Sequence, residues 1–220
     1  MTTLAILPVK GFGRAKQRLS PGLVPDTRAR LAEAMVGDVL EALAATAEVH
    51  ATVVVTGEPR VGALAAEVGA TVLDDPLEQG QSAAASLGIA HAHALGVRRV
   101  LLVPGDCPAL DPRELSTLLG APAPAPHVVI VSDRHGTGTN ALLLSPLTVI
   151  TPSFGPDSFA RHRNAAASAG AGCSVARPSS LLLDIDTAAD LSVLRARLTD
   201  APADTGRARR TRQALESLVT

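Results

Sequence analysis

The chain has 220 residues and a formal net charge of −1, so it is long enough for one well-packed domain and has no overall field that would attract a polyanion. With three Phe and neither Trp nor Tyr, it offers little aromatic surface for stacking the bases of a nucleic acid. Two cysteines are too few for a disulfide framework, and no apolar run suits a signal peptide or a membrane span. These features predict a soluble, cytoplasmic protein that binds neither nucleic acid nor membrane.

The first element is a short apolar run at residues 4–7, bounded by Pro8, which is typical of a buried strand. The loop after it carries two glycines and four cations, namely Lys10, Gly11, Gly13, Arg14, Lys16 and Arg18. Glycines let backbone N–H groups approach an anion, and Lys or Arg neutralise the charges of a triphosphate, so the loop is a candidate phosphate cradle. It matches neither G-x-x-x-x-G-K-[ST] nor G-x-G-x-x-G, and a basic surface loop explains the spacing equally well.

Helices and strands alternate over the next 90 or so residues. Helices are predicted at 27–47, with Asp26 as the cap, at 59–68, and after the polar loop that opens EQGQSAAASLG. Strands are predicted at 51–56, 71–73 and 100–103, and the last of these ends in PGDCP. This alternation predicts one α/β domain with a mainly parallel mixed sheet flanked by helices.

The second half is less regular. Asp111 is predicted to begin a helix, 121–126 is a Pro-Ala linker, and strands at 127–132 and 140–144 flank the turn DRHGTGT. A helix at 159–167 and a last strand at 181–187, LLLDIDT, precede the helix AADLSVLRARL. The domain therefore covers 1–198, and 199–220 is predicted to be a tail, disordered or a frayed helix. The tail contains four cations for which solvation is a better interpretation than nucleic-acid contact: Arg207, Arg209, Arg210 and Arg212.

Acidic residues follow two of the predicted strands. The fourth strand ends before Asp106, and the last contains Asp184 and Asp186. Ligands of open α/β sheets bind at the carboxyl ends of strands, and Mg²⁺ takes one or two carboxylates together with phosphate oxygens. The acids and the basic loop therefore suit a nucleoside triphosphate with Mg²⁺. Taken alone, Asp106 also fits a turn, and Asp186 fits the N-cap of the next helix.

Four segments together resemble the phosphoenolpyruvate or 2-phospho-L-lactate guanylyltransferases, which begin assembly of the deazaflavin coenzyme F-420. These segments are LPVKGFGRAKQRLS, PGDCPAL, DRHGTGTNAL with FGPDSFARH, and LLLDIDTAADL. The resemblance runs from Leu4 to about Leu198, and FGPDS is its most specific part; the wider nucleotidyltransferase superfamily shares the first, second and last segments. It implies a Rossmann-like nucleotidyltransferase fold that transfers GMP from GTP to the acceptor's phosphate and releases pyrophosphate. A downstream deazaflavin transferase would take up the product.

The resemblance also implies roles for individual residues. Those expected beside the triphosphate are Lys10, Gly11, Arg14, Lys16 and Arg18, and those expected to be catalytic are Lys10, Lys16 and Asp106. Mg²⁺ would be held by Asp106 with one or both of Asp184 and Asp186. The acceptor would contact Thr139, Asn140, Gly155 and Ser158, and the guanine would contact the segment that contains Gly80 and Ser82. Without the resemblance, GTGTN fits a hairpin turn and Ser158 fits a helix N-cap.

The implied reaction needs no general base, because a phosphomonoester with a second pKa of about 6 is already an anionic nucleophile near neutral pH. His135 and His162 are accordingly interpreted as surface residues, either of which could touch the acceptor. A cytidylyltransferase for a molybdopterin or a sugar acid is an alternative that FGPDS disfavours, and a non-catalytic nucleotide-binding module is one that the acids at two strand ends disfavour. The choice of acceptor, the strictness of guanine selection and the oligomeric state, a homodimer included, stay open.

Overall fold

A seven-stranded sheet with helices on both faces forms the centre of the computed structural model, which describes residues 2–14, 16–19, 23–121, 123–200 and 206–217. The strands are β1 (Thr3–Val9), β2 (Val49–Thr56), β3 (Thr71–Asp74), β4 (Arg99–Leu102), β5 (His127–Ser132), β6 (Thr139–Ser145) and β7 (Gly172–Ala176). The α-helices are α1 (Pro25–Ala44), α2 (Pro59–Glu67), α3 (Gln81–Ala94), α4 (Pro112–Gly120), α5 (Ser158–Ser168), α6 (Ala188–Asp200) and α7 (Arg209–Glu216).

The strands follow one another across the sheet in the order β3-β2-β1-β4-β6-β5-β7. β1 is parallel to β2 and β4, and β2 is parallel to β3, whereas β6 is antiparallel to β4 and β5, and β7 pairs in parallel with β5. Apolar residues occupy both faces of β1: Ala5 and Leu7 pack in the cluster that contains Met35, and Leu4 and Ile6 pack in the one that contains Ala84. The structure thus confirms an α/β fold with a mainly parallel mixed sheet, buried on both faces as such sheets require.

Most of the predicted elements are present, with shifted ends. Asp111 caps α4 as predicted, because its Oδ1 accepts a hydrogen bond of 2.9 Å from the N–H of Arg113. Asp26 does not cap α1; that helix starts at Pro25, two residues earlier than predicted, and its N-cap is Val24, whose side chain cannot accept a hydrogen bond. β7, whose residues are mostly exposed at the sheet edge, carries no clear apolar pattern and was not predicted.

The predicted last strand at 181–187 is wrong. A short 3₁₀ helix at Ser179–Leu181 leads into an extended segment that reaches α6 without joining the sheet. Leu183 and Ile185 are buried in alternation, as in a strand, and the N–H of Ile185 donates to the backbone oxygen of Asp106 at 3.0 Å. The segment crosses beyond the end of β4, so the apolar alternation survives without a ladder of strand hydrogen bonds.

Within the predicted tail, residues 206–217 include helix α7, which packs on α1. The carboxylate of Asp38 accepts from the first N–H groups of α7, and the Arg side chains of this segment bind groups of the same chain. Arg207 pairs with an acid before α4, Arg209 and Arg210 pair with Glu41, and Arg212 donates to a backbone oxygen of α6. No helix among the described residues is long and apolar enough to cross a bilayer.

Candidate active site

Lys16 joins the basic loop to the acids at the carboxyl end of β4. Its Nζ lies 2.7 Å from Asp106 Oδ2 and 3.1 Å from Asp186 Oδ1, and its side chain is only 9% exposed. The backbone of Lys16 has φ of 54°, a left-handed conformation that costs a non-glycine residue about 1 kcal/mol or more and recurs at functional sites. Asp186 reaches the lysine because the neighbouring N–H of Ile185 is fixed to the Asp106 backbone. The structure therefore brings together residues predicted from three separate motifs.

The charges of this cluster support one another. Burial by itself lowers the pKa of Lys16, but the carboxylates of Asp106 and Asp186 outweigh burial and raise that pKa well above its usual value. The Lys16 ammonium thus stays charged near neutral pH. Burial and then the negative charge of Asp106 raise the pKa of Asp184, whose Oδ1 accepts a hydrogen bond of 3.2 Å from Asn140 Nδ2. Asn140 also donates to the backbone oxygen of Leu181 at 2.8 Å, which anchors the segment that carries both later acids.

Two of the three predicted metal ligands, Asp106 and Asp186, meet around the Lys16 ammonium, and the third, Asp184, is bonded to Asn140. Within the described part of the chain, no three His, Cys, Asp or Glu side chains are arranged as a metal centre. Asp106 Oδ1 is nevertheless buried without a hydrogen-bond partner, and a carboxylate oxygen left in that state is costly. Such an oxygen is a ligand that a hard divalent cation prefers. The donor set therefore fits Mg²⁺.

Backbone N–H groups of the basic loop are bound to carboxylates. Gly11 N–H donates to Glu78 Oε1 and Phe12 N–H donates to Glu58 Oε2, both at 2.8 Å. Burial alone raises the pKa of Glu58, but hydrogen bonds from Arg60 and Phe12 outweigh burial and lower it. These two N–H groups of the loop therefore bind carboxylates of the chain itself, and the phosphate cradle stays a prediction. Nothing in the sequence marks Glu58 or Glu78, which lie 46 and 67 residues from their donors.

The other cations of the loop are more exposed. Lys10 projects at the surface and lines the cavity described below. Arg18 is 77% exposed, and its guanidinium lies 3.9 Å from Asp186 Oδ2, a contact that solvent weakens. The backbone of Arg14 belongs to a 3₁₀ turn, and its side chain lies outside what the structure describes.

A cavity of about 310 Å³ opens between the basic loop, α1 and the start of α3. Predicted site residues in its lining are Lys10, Lys16, Gly80, Asp106 and Asp186. Gly80 adopts φ of 107°, a conformation that favours glycine, and α3 begins at the next residue. Thr139, Asn140, Gly155 and Ser158 do not belong to this lining, so the residues predicted for the nucleotide and for the acceptor form two adjoining groups.

His162 contacts Thr139, one of the residues predicted to bind the acceptor. Its interpretation as a surface residue is wrong. It is fully buried; its Nε2 accepts from Ser153 N–H at 2.9 Å, and its Nδ1 lies 3.0 Å from Thr139 Oγ1. Because Nε2 accepts, a neutral ring carries its proton on Nδ1 and donates it to Thr139. Burial, and then the positive charge of Arg161, lower the pKa of His162 to about 4. His135, in contrast, is exposed as predicted.

The FGPDS segment is held in an irregular turn before α5. Gly155 and Asp157 have φ of 111° and 55°, and Arg161 donates to the backbone oxygens of Ser153, Phe154 and Pro156. The N-cap of α5 is Asp157, while Ser158, predicted as a possible cap, is the first residue of that helix and is buried. Phe154 N–H donates to Ser82 Oγ at 2.8 Å, so the acceptor segment is bonded to the segment expected to contact guanine.

This Rossmann-type architecture is also the fold of solved nucleotidyltransferase structures, among them a nucleotidyl transferase from Methanothermobacter thermautotroptrophicus, with a TM-score of 0.62 over 90% of this chain and 98% of its own, at 20% identity. A nucleotide-diphospho-sugar transferase-like protein from Desulfovibrio desulfuricans G20 superposes with a TM-score of 0.74 over 100% of this chain and 97% of its own, at 17% identity. The CMP:2-keto-3-deoxy-manno-octonic acid synthetase complexed with CTP gives a TM-score of 0.62 over 90% and 99% of the two chains, at 15% identity. These structures share the fold.

Sequence comparison identifies one family among the proteins that share this fold. The family model described as guanylyl transferase CofC like matches residues 3–199, and the chain belongs to this family. A phosphoenolpyruvate guanylyltransferase from Conexibacter woesei is 50% identical over 196 residues, which cover 89% of this chain and 88% of the relative. A protein of the same name from Sphaerobacter thermophilus is 39% identical over 88% of this chain and 93% of its own length.

Proposed function

We propose that this protein transfers GMP from GTP to the phosphate of phosphoenolpyruvate and releases pyrophosphate. The observation that carries the proposal is the Lys16 ammonium, bound between Asp106 and Asp186 at the edge of a cavity that Lys10 also lines. Family membership and the names of the relatives select guanosine and phosphoenolpyruvate over the other substrates of this fold. 2-Phospho-L-lactate, which carries the same phosphate and carboxylate, is the acceptor to compare.

The chain's own residues have an electrostatic task in this reaction. A phosphate oxygen of the acceptor attacks the α-phosphorus of GTP in line with the departing pyrophosphate, so two polyanions must approach each other. Lys10 and Lys16 reduce their repulsion, while the N–H groups of Gly11 and Phe12 are already bonded to the carboxylates of Glu78 and Glu58. His162 is buried, neutral and bonded at both nitrogens, so it is no candidate for a general base. The anionic acceptor needs none.

Asp106, with Asp184 and Asp186, would hold Mg²⁺. Asp106 Oδ1 is buried and has no hydrogen-bond partner among the described residues, and burial and the negative charge of Asp106 raise the pKa of Asp184. When bound, the ion would supply charge neutralisation at the phosphate oxygens. The product would then pass to a deazaflavin transferase that uses the activated three-carbon unit.

The test is pyrophosphate release with GTP, CTP, ATP or UTP, each paired with phosphoenolpyruvate or 2-phospho-L-lactate, with and without Mg²⁺. The deazaflavin acceptor and its transferase are included to trap the product. We expect release with GTP and phosphoenolpyruvate that depends on Mg²⁺ and is abolished by Asp106→Ala. Asp26→Ala, which removes an exposed acid that makes no capping bond, is the matched control. Release with CTP in place of GTP, or full turnover of Asp106→Ala, would contradict the proposal.

A further inference from the structure

The cavity has two chemically different ends. Lys16, Asp106 and Asp186 line one end, beside β4, and Asp75, Glu78 and Gly80 line the other, between β3 and α3. In the sheet, β3 and β4 are separated by β2 and β1, so their ends lie three strand spacings apart, roughly 14 Å. If the triphosphate lies at the lysine end, as the proposed function requires, the base reaches the β3 end.

Asp75 is the side chain at that end whose state needs an explanation. It is 7% exposed, and no described residue donates a hydrogen bond to its carboxylate. The other acids of the lining differ, because Glu78 accepts from Gly11 N–H while Asp106 and Asp186 bind Lys16. The oxygens of the Asp75 carboxylate are not among the buried atoms that lack a partner, and the residue lines the cavity, so a ligand in the cavity can donate hydrogen bonds to them.

The backbone holds Asp75 in place. Its N–H donates to the Thr56 oxygen at 3.0 Å, and its own oxygen accepts from Glu78 N–H at 3.4 Å. A Cβ on Gly57 would lie 2.9 Å from the Asp75 oxygen, so the absence of a side chain there lets the two backbones approach. Asp75 is therefore a rigidly placed acceptor in the wall of the cavity, and its carboxylate receives no hydrogen bond from the part of the chain that the structure describes.

Guanine is the base whose edge matches such an acceptor. It offers two adjacent donors, N1–H and the 2-amino group, which a carboxylate can accept together. Adenine and cytosine present an unprotonated ring nitrogen to the same position, and uracil presents one N–H between two carbonyl oxygens. We propose that Asp75 selects GTP by accepting hydrogen bonds from N1–H and the 2-amino group of guanine. This inference rests on the proposed function for the direction in which the nucleotide lies.

The test exchanges one acceptor oxygen for a donor. In Asp75→Asn the amide oxygen can still accept from N1–H, but the amide N–H₂ faces the position of the 2-amino group. Xanthine carries an oxygen at that position, so the variant should bind XTP. We expect the wild-type protein to bind GTP about 10- to 100-fold more tightly than ITP, which lacks the 2-amino group, and to bind XTP poorly. For Asp75→Asn we expect at least a 100-fold change of the GTP-to-XTP affinity ratio in favour of XTP.

Affinities are measured by calorimetric titration of the full-length protein, so the result does not depend on turnover with phosphoenolpyruvate. Asp74→Asn, an exposed neighbour with the same change of charge, is the control and should keep the wild-type preference. Thermal unfolding of both variants establishes that they fold. A wild-type GTP-to-XTP ratio in folded Asp75→Asn would overturn the inference. If the wild-type protein binds GTP with the expected selectivity but transfers no GMP to any three-carbon acid, the proposed function fails while the inference stands.

Discussion

His162 should make the stability of this protein depend on pH in a window that substitution can remove. The folded state lowers its pKa from 6.5 to about 4. Above pH 6.5 the ring is neutral in both the folded and the unfolded chain. Between pH 6.5 and 4 only the unfolded chain takes up the proton, so stability falls as the pH falls. The gap between the two pKa values corresponds to roughly 3 kcal/mol of unfolding free energy, lost by about pH 4.

His162→Asn and His162→Gln each keep one of the two hydrogen bonds of the imidazole ring and remove the other. Asn at position 162 can still donate to Thr139, and Gln can still accept from Ser153 N–H, but neither takes up a proton. Each variant should be less stable than the wild type at pH 7 by about 1–3 kcal/mol, since one buried partner is lost. The difference in stability should change by roughly 3 kcal/mol in favour of the variants as the pH is lowered to 4, so that they equal or exceed the wild type there, because the wild type alone loses the His162 contribution.

The assay is urea unfolding followed by far-ultraviolet circular dichroism, because the chain has no Trp or Tyr to serve as a fluorescent probe. Titration of the carboxylates is common to all the proteins and cancels in the comparison. His135→Asn, at an exposed histidine, should run parallel to the wild type. A difference between the wild type and both His162 variants that stays constant from pH 7 to pH 4 would refute the reasoning.

Three further substitutions test the site and the packing around it. Lys16→Met removes the ammonium between two acids; it should lower turnover at least about 100-fold and destabilise the fold by only about 1–2 kcal/mol, since both acids are partly exposed. Asp38→Ala removes the carboxylate that caps α7 and should cost about 1–2 kcal/mol, with faster hydrogen exchange in α7. Gly88→Ala places a Cβ 2.4 Å from Ile6 Cγ2 and should cost about 1–3 kcal/mol in urea unfolding, whereas Gly62→Ala meets nothing within 4 Å and should be neutral or stabilising.

Each of these expectations has an opposite result that rejects it. Wild-type turnover by Lys16→Met would separate the lysine from the chemistry. Unchanged exchange in α7 would mean that apolar packing and the ion pairs of Arg209 and Arg210 with Glu41 hold that helix on α1 without the Asp38 cap. Equal stability of the two glycine variants would show that α3 can move away from β1 at little cost.

Features that depend only on neighbouring residues could be predicted from the amino-acid sequence. Local apolar patterns predict the alternation of strands and helices and the Asp111 cap. The geometry of parallel sheets predicts that Lys16 and Asp106 meet at the carboxyl ends of their strands. The family was recognisable for the same reason, because its motifs are short and contiguous.

The tertiary structure decided the features that depend on pairs distant in the chain. Residues 181–187 have the alternation of a strand, but only their position beyond the end of β4 leaves them outside the sheet. His162 is buried because Thr139, 23 residues away, and Ser153 close around it. Among the described residues no group donates to the Asp75 carboxylate, because the fold places this side chain in the wall of a cavity. Periodicity fixes which face of an element is apolar, whereas the arrangement of the elements fixes which polar groups meet.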